Sequence, residues 1–302
     1  MKIFTTIFGS KLYGTNTKNS DTDYESVYIP KASEDLFKSI PEVIHDEFLE
    51  DGKKVEENTS TLSFFLRQAL AGQTKQFDML FSSDKHWKLN TEEFNYLINN
   101  RKKFITKKIS KFIGFAKNQA IKYSNKGNNL KLFEKFLEFT ESFDENIFLD
   151  SVLPQLELLF SDNFKVIEKN HTKLLKIFVK EFPINTKLKY INKSLRSSIT
   201  SYGKRAKESN INSGFDFKAL SHAFRVCYQA KRLALYGEYS YPLPETDIIM
   251  EVKLGKYDTS KIFEDIENLA NETSNIINSS NLPNEPDYDF FADYLIEMYK
   301  KS

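Results

Sequence analysis

The chain lacks the sequence features of disulfide-bonded, membrane-spanning and secreted proteins. Only one of its 302 residues is a cysteine, so it can form no internal disulfide and no cysteine-rich zinc site. No apolar run approaches the ~20 residues that a membrane-spanning helix requires. The opening segment, residues 1–8, has one lysine and too few apolar residues for a signal peptide. These absences predict a protein of the reducing cytoplasm that has no membrane partner.

Apolar residues make up 40% of the chain and aromatic residues 14%, which is enough for a substantial hydrophobic core. Residues 1–95 combine one helix with short strand-like runs. The helix is predicted over Thr61–Ala71, and the strands over Ile3–Phe8, Tyr24–Ile29, Val55–Thr59 and Phe77–Phe81. After residue 95 the pattern is mostly helical, including His171–Phe182 and Phe217–Tyr236, with one short strand at Ile248–Val252. The sequence therefore predicts an α+β protein, with a small mixed-sheet domain over 1–95 and a helical domain over 96–302.

The net charge is only +1, but the charged residues are grouped in blocks. Residues 101–131 and 173–207 are basic, whereas 132–168 and 245–297 are acidic. Such blocks fit two interpretations: helices of opposite charge pack against one another, or a basic surface attracts a polyanion such as RNA. Aromatic residues within the first basic block could stack on bases, although rings at helical spacing more often belong to a core. They are Phe104, Phe112, Phe115 and Tyr123.

The most informative segment is Gly9-Ser10, which follows the first apolar run, together with Asp21-Thr22-Asp23, which begins the second. In a strand, side chains two residues apart leave the same face, so the Asp21 and Asp23 carboxylates would lie side by side. Two such carboxylates repel each other unless a cation lies between them. Mg²⁺, or Mn²⁺ in its place, binds carboxylate and phosphate oxygens. Gly9 permits close approach of a phosphate, and Ser10 offers it hydrogen-bond donors.

A phosphate-binding turn followed by a metal-binding pair of aspartates is the layout of an enzyme that acts on nucleoside triphosphates. Transfer of a nucleotide from such a triphosphate usually requires a third carboxylate, which completes the metal site and helps to deprotonate the attacking hydroxyl. Glu56 and Glu57 are the best placed, because they belong to a predicted strand that could lie beside Tyr24–Ile29. Strand alternation turns only one of them towards the aspartates, and it does not say which. Further along, Lys218, His222 and Arg225 have helical spacing and would form a polar stripe suited to phosphates. A surface helix with an incidental histidine is the alternative.

The ordered set of strand, Gly-Ser, Gly14, Ser20, Asp-x-Asp and strand resembles the DNA polymerase β nucleotidyltransferase superfamily. The segment FGSKLYGTNTKNSDTDYESVYIP is similar to the corresponding segment of the RNA-ligase-associated branch of this superfamily, which is found in bacteria and phages. The segments LSFFLRQALAGQTKQFDMLF, FIGFAKNQ, FDFKALSHAFRV and YPLPETDIIMEVKLGKY are similar to later parts of that branch.

The resemblance implies roles for particular residues. Gly9 and Ser10 would bind the phosphates of a nucleoside triphosphate such as ATP, and Asp21 and Asp23 would bind the metal. Glu56 stands where the family places its third acid, usually an aspartate. Lys218, His222 and Arg225 fall on the family's Lys-x-x-x-His-x-x-Arg helix and would contribute to nucleotide binding.

The expected activity is transfer of a nucleoside monophosphate from the triphosphate to a hydroxyl group, with release of pyrophosphate. RNA, as a tRNA or a damaged 3′ end, is the expected acceptor. Two alternatives remain open: transfer of AMP to a protein side chain or small molecule, and a non-catalytic module that binds nucleotide or RNA. The sequence leaves open the base transferred, the use of a template and the oligomeric state.

Overall fold

The computed structural model of the protein describes residues 1–18, 20–37, 40–124, 126–160, 164–169, 172–177, 180–201 and 215–301. Its strands are β1 (Lys2–Phe8), β2 (Thr22–Tyr28), β3 (Val43–Glu50), β4 (Lys53–Thr61), β5 (Trp87–Asn90), β6 (Phe164–Lys169), β7 (Thr172–Ile177) and β8 (Lys180–Pro183). Its α-helices are α1 (Gly9–Tyr13), α2 (Ala32–Phe37), α3 (Leu62–Leu70), α4 (Thr74–Leu80), α5 (Glu92–Asn99), α6 (Ser110–Ser124), α7 (Lys126–Glu141), α8 (Leu153–Phe160), α9 (Leu188–Ser201), α10 (Phe217–Tyr236), α11 (Thr246–Lys253), α12 (Ile262–Ser279) and α13 (Tyr288–Lys301). The predicted α+β class is confirmed.

The N-terminal strands form a mixed five-stranded sheet in the order β3-β4-β2-β1-β5. β2 and β4 run parallel, and every other neighbouring pair in this sheet is antiparallel. The parallel pair places the beginnings of β2 and β4 at the same end of the sheet, next to the end of β1. This arrangement brings residues that are distant in sequence together at one end of the sheet.

The chain forms two compact units. The first comprises Met1–Ala120 with Lys218–Ser302, and the second comprises Ile121–Phe217. The second unit contains the antiparallel sheet β6-β7-β8 and its own core, which includes Phe133, Phe136 and Leu195. These units do not coincide with the domain boundary predicted between residues 95 and 96, because the C-terminal helices belong to the same compact unit as the N-terminal sheet. That boundary stays a prediction.

Several predicted elements are confirmed, because their patterns are local. β1 and β4 contain two of the predicted strands, β2 contains the predicted strand Tyr24–Ile29 except for its last residue, and α10 has the predicted bounds. Helix α3 begins where the Thr61 side chain accepts a hydrogen bond from the Phe64 N–H at 3.2 Å. Its buried residues, Leu62, Phe65, Leu66 and Ala69, recur at helical spacing.

Three predictions of secondary structure are wrong. Phe77–Phe81 was predicted as a strand, but its first four residues belong to α4, where Phe77 through Leu80 are all buried. Ile248–Val252 lies within α11, where Ile249 and Val252 are buried three residues apart. His171–Phe182 was predicted as a helix, whereas the structure has β7 and β8 there, and His171 lies outside the described residues. Short apolar runs fit either structure, so tertiary packing decides between them.

In the described part of the chain, no helix has the length and apolar character needed to cross a bilayer. The first basic block contributes to packing within the first unit. Lys108 forms an ion pair with Glu285 at 2.5 Å, and Lys117 donates to the Asn271 side chain at 3.0 Å. Two rings considered for base stacking, Phe104 and Phe112, are fully buried in the core. These contacts fit the interpretation in which basic and acidic helices pack together.

Candidate functional site

Three neighbouring strands bring the candidate acids to one level of the sheet. Phe8, the last residue of β1, lies opposite Asp23 of β2, and Asp23 lies opposite Glu56 of β4. Because directly opposed residues project to the same face, the Asp23 and Glu56 carboxylates share a face. Gly9 follows Phe8, so the Gly-Ser turn begins at this same level. We call Asp21, Asp23 and Glu56 the acid edge.

Gly9 lies directly against the acid edge. Its φ of +63° is in the left-handed region, which favours glycine. A Cβ at this position would also clash with the Asp23 Oδ2 atom. Ser10 is half-buried, and no described residue forms a hydrogen bond with its hydroxyl. The turn therefore places a hydroxyl without a described hydrogen-bond partner on a backbone that lies close to Asp23.

The electrostatic surroundings of Asp23 are unfavourable for its charge. Burial raises the pKa of Asp23, and the neighbouring Glu56 and Asp21 carboxylates raise it further, whereas Lys218 and Lys11 lower it. Asp23 is half-buried, and no donor among the described residues forms a hydrogen bond with its carboxylate. Asp21, which immediately precedes β2, is exposed. The acid edge thus gathers negative charge that the described protein groups only partly offset.

The structure separates the two candidates for the third acid. Glu56 lies on the Asp23 face and is half-buried, with the Lys54 ammonium 3.2 Å from its Oε1 atom. Glu57 points to the opposite face, where it accepts hydrogen bonds from Lys2 at 2.6 Å and from the Ser26 hydroxyl. Only Glu56 therefore belongs to the acid edge.

A further acid on this face, Glu25, was missed from the sequence. It continues the alternation of Asp21 and Asp23 along β2 but is 5% exposed. Its carboxylate lies 2.5 Å from the Lys75 ammonium and accepts a hydrogen bond from Asn58 at 2.9 Å. The spacing of two residues could have identified Glu25, and its partners indicate a structural role.

The three predicted cations of helix α10 differ in their exposure. Lys218 is exposed and close enough to Asp23 to lower its pKa. His222 is half-buried on the same helix. Arg225 is 5% exposed, so the three side chains do not form the open stripe that their spacing predicted.

Arg225 instead belongs to a buried cluster with Asp78 of α4. The Arg225 Nη1 atom lies 3.2 Å from Asp78 Oδ2, and its guanidinium lies 3.8 Å from the centre of the Tyr13 ring. Tyr13 and Gln229 donate hydrogen bonds to Asp78 at 2.8 and 2.7 Å. Tyr13 ends α1, the short helix that begins with Gly9 and Ser10. Arg225 is therefore linked to the Gly-Ser turn through Tyr13.

The acid edge offers the oxygen ligands that a hard divalent cation prefers. Within the described ranges, no three His, Cys, Asp or Glu side chains are grouped closely enough to bind a metal by themselves. Mg²⁺ commonly takes one or two carboxylates and completes its shell with water and substrate phosphates, so it does not require such a group. The oxygen ligands and the excess negative charge around Asp23 fit a cation that arrives with phosphate.

Comparison with known proteins yields one distant relative of nearly equal length. A protein of Enterobacteria phage T4, described as an uncharacterized 38.9 kDa protein in the nrdC-mobD intergenic region, is 25% identical over 319 residues. The similarity covers 97% of this chain and 95% of the phage protein. No family model matches the chain. No solved structure matches it.

Proposed function

We propose that the protein is a metal-dependent nucleotidyltransferase that moves a nucleoside monophosphate from a nucleoside triphosphate to an RNA hydroxyl. One observation carries the proposal: Asp23 and Glu56 share a face at the level of Gly9, in surroundings that raise the Asp23 pKa. Perturbed carboxylates of this kind are frequent at functional sites. The resemblance of the Gly-Ser and Asp-x-Asp segments to the polymerase β superfamily points to the same chemistry.

In the proposed reaction, the acceptor oxygen forms a bond to the α-phosphorus, and the bond from that phosphorus to the bridging oxygen breaks. Pyrophosphate leaves, and the proton of the acceptor hydroxyl passes to the Glu56 carboxylate. Gly9 and Ser10 bind the phosphate chain. The carboxylates of Asp21, Asp23 and Glu56, one or two of them to each ion together with phosphate oxygens, would hold Mg²⁺ or Mn²⁺, which when bound stabilises the charge that develops on the phosphate oxygens.

The cationic groups have separate roles in this proposal. Lys218 is exposed near Asp23 and offsets the charge of the departing pyrophosphate. His222 lies on the same helix and contributes to the same phosphate environment. Arg225 is a positioning residue, because its buried contacts reach the Gly-Ser turn through Tyr13. Binding and orientation, rather than covalent chemistry by the protein, supply most of the rate enhancement.

The test is incubation of the protein with each α-labelled nucleoside triphosphate, Mg²⁺ and total RNA. We expect label in RNA. The rate of transfer should fall roughly a thousandfold in the Asp21→Asn, Asp23→Asn double variant, which corresponds to about 4 kcal/mol of lost transition-state stabilisation at ~1.4 kcal/mol per tenfold in rate. The matched control is Asp287→Asn with Asp289→Asn, a second Asp-x-Asp segment, which is exposed at the start of α13.

Other outcomes separate the alternatives. Label in protein rather than RNA would indicate transfer to a side chain. Tight binding of the triphosphate without transfer of label to any acceptor would indicate a non-catalytic module. Equal rates of transfer by the double variant and the wild type would show that the two aspartates do not take part in the reaction.

A further inference from the structure

A pocket of about 510 Å³ opens beside the acid edge and shares Asp21 with it. Four lysines contribute to its lining: Lys11, Lys18, Lys53 and Lys54. Lys11 belongs to α1 and Lys18 to the loop between α1 and β2, and the other two begin β4. Two separate segments of the chain therefore contribute lysines to the lining of one concave surface.

The four lysines are not equally neutralised by the protein. Lys54 forms ion pairs with Glu47 at 2.9 Å and with Glu56 at 3.2 Å. Lys11 donates a hydrogen bond to the Thr22 hydroxyl. Lys18 and Lys53 are exposed, and neither forms an ion pair with another described residue. The pocket therefore contains two uncommitted positive charges, which attract a polyanion.

The chemistry of the lining indicates which polyanion fits. The described lining residues all have charged, hydroxyl or amide side chains, so no aromatic ring is available there to stack on a base and no apolar side chain to receive a protein side chain. Ammonium groups bind phosphates, and hydroxyl and amide groups can hydrogen-bond to ribose. These groups suit the sugar-phosphate backbone of an RNA strand, read without regard to base sequence.

The position of the pocket distinguishes it from the proposed triphosphate site. Gly9 and Ser10 are not among the described residues that line it, and neither is Lys218. Asp21 belongs to both the pocket and the acid edge, so a strand bound to the lysines would lie next to the carboxylates. A volume of about 510 Å³ lies in the range of pockets that hold a molecule of nucleotide size.

We infer that this lysine pocket binds the backbone phosphates of the acceptor RNA and guides its reactive end to the acid edge. The role of the bound RNA as acceptor rests on the proposed transfer reaction, whereas RNA binding by the pocket does not. The pocket would thus separate the two anionic substrates: the triphosphate beside Gly9 and Ser10, and the RNA beside Lys18 and Lys53.

The test is binding of a fluorescein-labelled single-stranded RNA of about twelve nucleotides, followed by anisotropy at several salt concentrations without any triphosphate. For Lys18→Ala with Lys53→Ala, we expect the affinity at low salt to fall about tenfold. The slope of log affinity against log salt should shrink by ~1.4, since each contact with a single strand contributes ~0.7. The control is Lys256→Ala with Lys300→Ala, which removes two exposed lysines outside the pocket and should change neither quantity to this extent.

Three results would overturn the inference: the pocket variant loses no more RNA affinity than the control variant, it loses affinity for Mg-ATP instead of RNA, or a polyglutamate peptide displaces the RNA as well as unlabelled RNA does. Because the assay needs no catalysis, a protein without transferase activity still gives an answer. Normal RNA binding without transfer of label would contradict the proposed function alone.

Discussion

Two aspartates in the first unit illustrate how the same side chain can serve structure or chemistry. Asp78 is 1% exposed, and its carboxylate is paired with Arg225 and accepts hydrogen bonds from Tyr13 and Gln229. Asp23 is half-buried beside two other carboxylates, and none of the described residues donates a hydrogen bond to it. A buried charge with this many partners is compensated within the fold, so removing a partner is costly, whereas a charge held among like charges is available for a ligand.

The largest effect expected from this comparison is on stability, in the variant Asp78→Ala. Removing one partner leaves the buried Arg225 charge uncompensated, which costs about 3–5 kcal/mol in the free energy of unfolding. Urea unfolding followed by the fluorescence of Trp87 measures it, because this single tryptophan is in β5 of the same unit. Asp78→Asn, which keeps the volume and an acceptor oxygen, should lose less. An Asp78→Ala protein as stable as the wild type would contradict a structural role for the cluster.

The next effect concerns the contact between Gly9 and Asp23. Gly9→Ala should reduce transfer by about 10²-fold, since a displacement of about 1 Å in a catalytic group has this consequence. Gly237→Ala is the matched control, because Gly237 has a similar φ of +69° but no atom within 4 Å of the added Cβ. Both variants should share the ~1–2 kcal/mol cost of a left-handed alanine. Equal activities in the two variants would show that close packing against Asp23 does not matter.

Asp23→Asn should have a smaller effect on stability, opposite in sign to that of Asp78→Ala. Because the folded-state pKa of Asp23 is raised above its unfolded value, its ionised form is disfavoured by folding. The substitution should therefore raise the free energy of unfolding at neutral pH, and the gain should shrink as the pH falls through the raised pKa. Denaturant titrations at neutral and acid pH measure this difference. If Asp23→Asn instead lowered the free energy of unfolding at neutral pH, as Asp78→Ala is expected to do, the proposed difference between Asp23 and Asp78 would be wrong.

The smallest expected effect is on the pKa of Asp23 itself. Glu56 raises the pKa of Asp23 and Lys218 lowers it. An NMR titration of the side-chain carboxyl carbon of Asp23 in the metal-free protein should give a lower pKa in Glu56→Gln and a higher pKa in Lys218→Ala. Shifts in the same direction would contradict the assigned electrostatics.

The parts of the fold that the sequence predicted depend on local patterns. Gly9, Asp21 and Asp23 could be identified because a turn and a two-residue alternation are readable within one segment. The parallel pairing of β2 with β4 then decides between Glu56 and Glu57, which no local pattern could do.

Other features depend on contacts between distant parts of the chain. Asp78 and Arg225 are 147 positions apart, so no local pattern indicates that they pair. Asp78 lies in a segment that was predicted as a strand, and the helical spacing of Arg225 with Lys218 predicted an exposed arginine. The strand β3 escaped prediction because its residues are almost all exposed and it lies at the edge of the sheet, where no apolar alternation is required. The apolar run of α4 is buried on all sides and therefore has no helical periodicity to read.

The most direct test of the acid edge is whether a divalent cation and a nucleotide bind there together. Equilibrium dialysis of labelled ATP with and without Mn²⁺ measures this linkage, and Asp287→Asn with Asp289→Asn is again the control. We expect Mn²⁺ to raise the ATP affinity of the wild type and the control by at least about tenfold, a linkage of ~1.4 kcal/mol, and to leave the affinity of Asp21→Asn with Asp23→Asn unchanged. The same increase in that double variant would contradict the assignment of these aspartates to the cation.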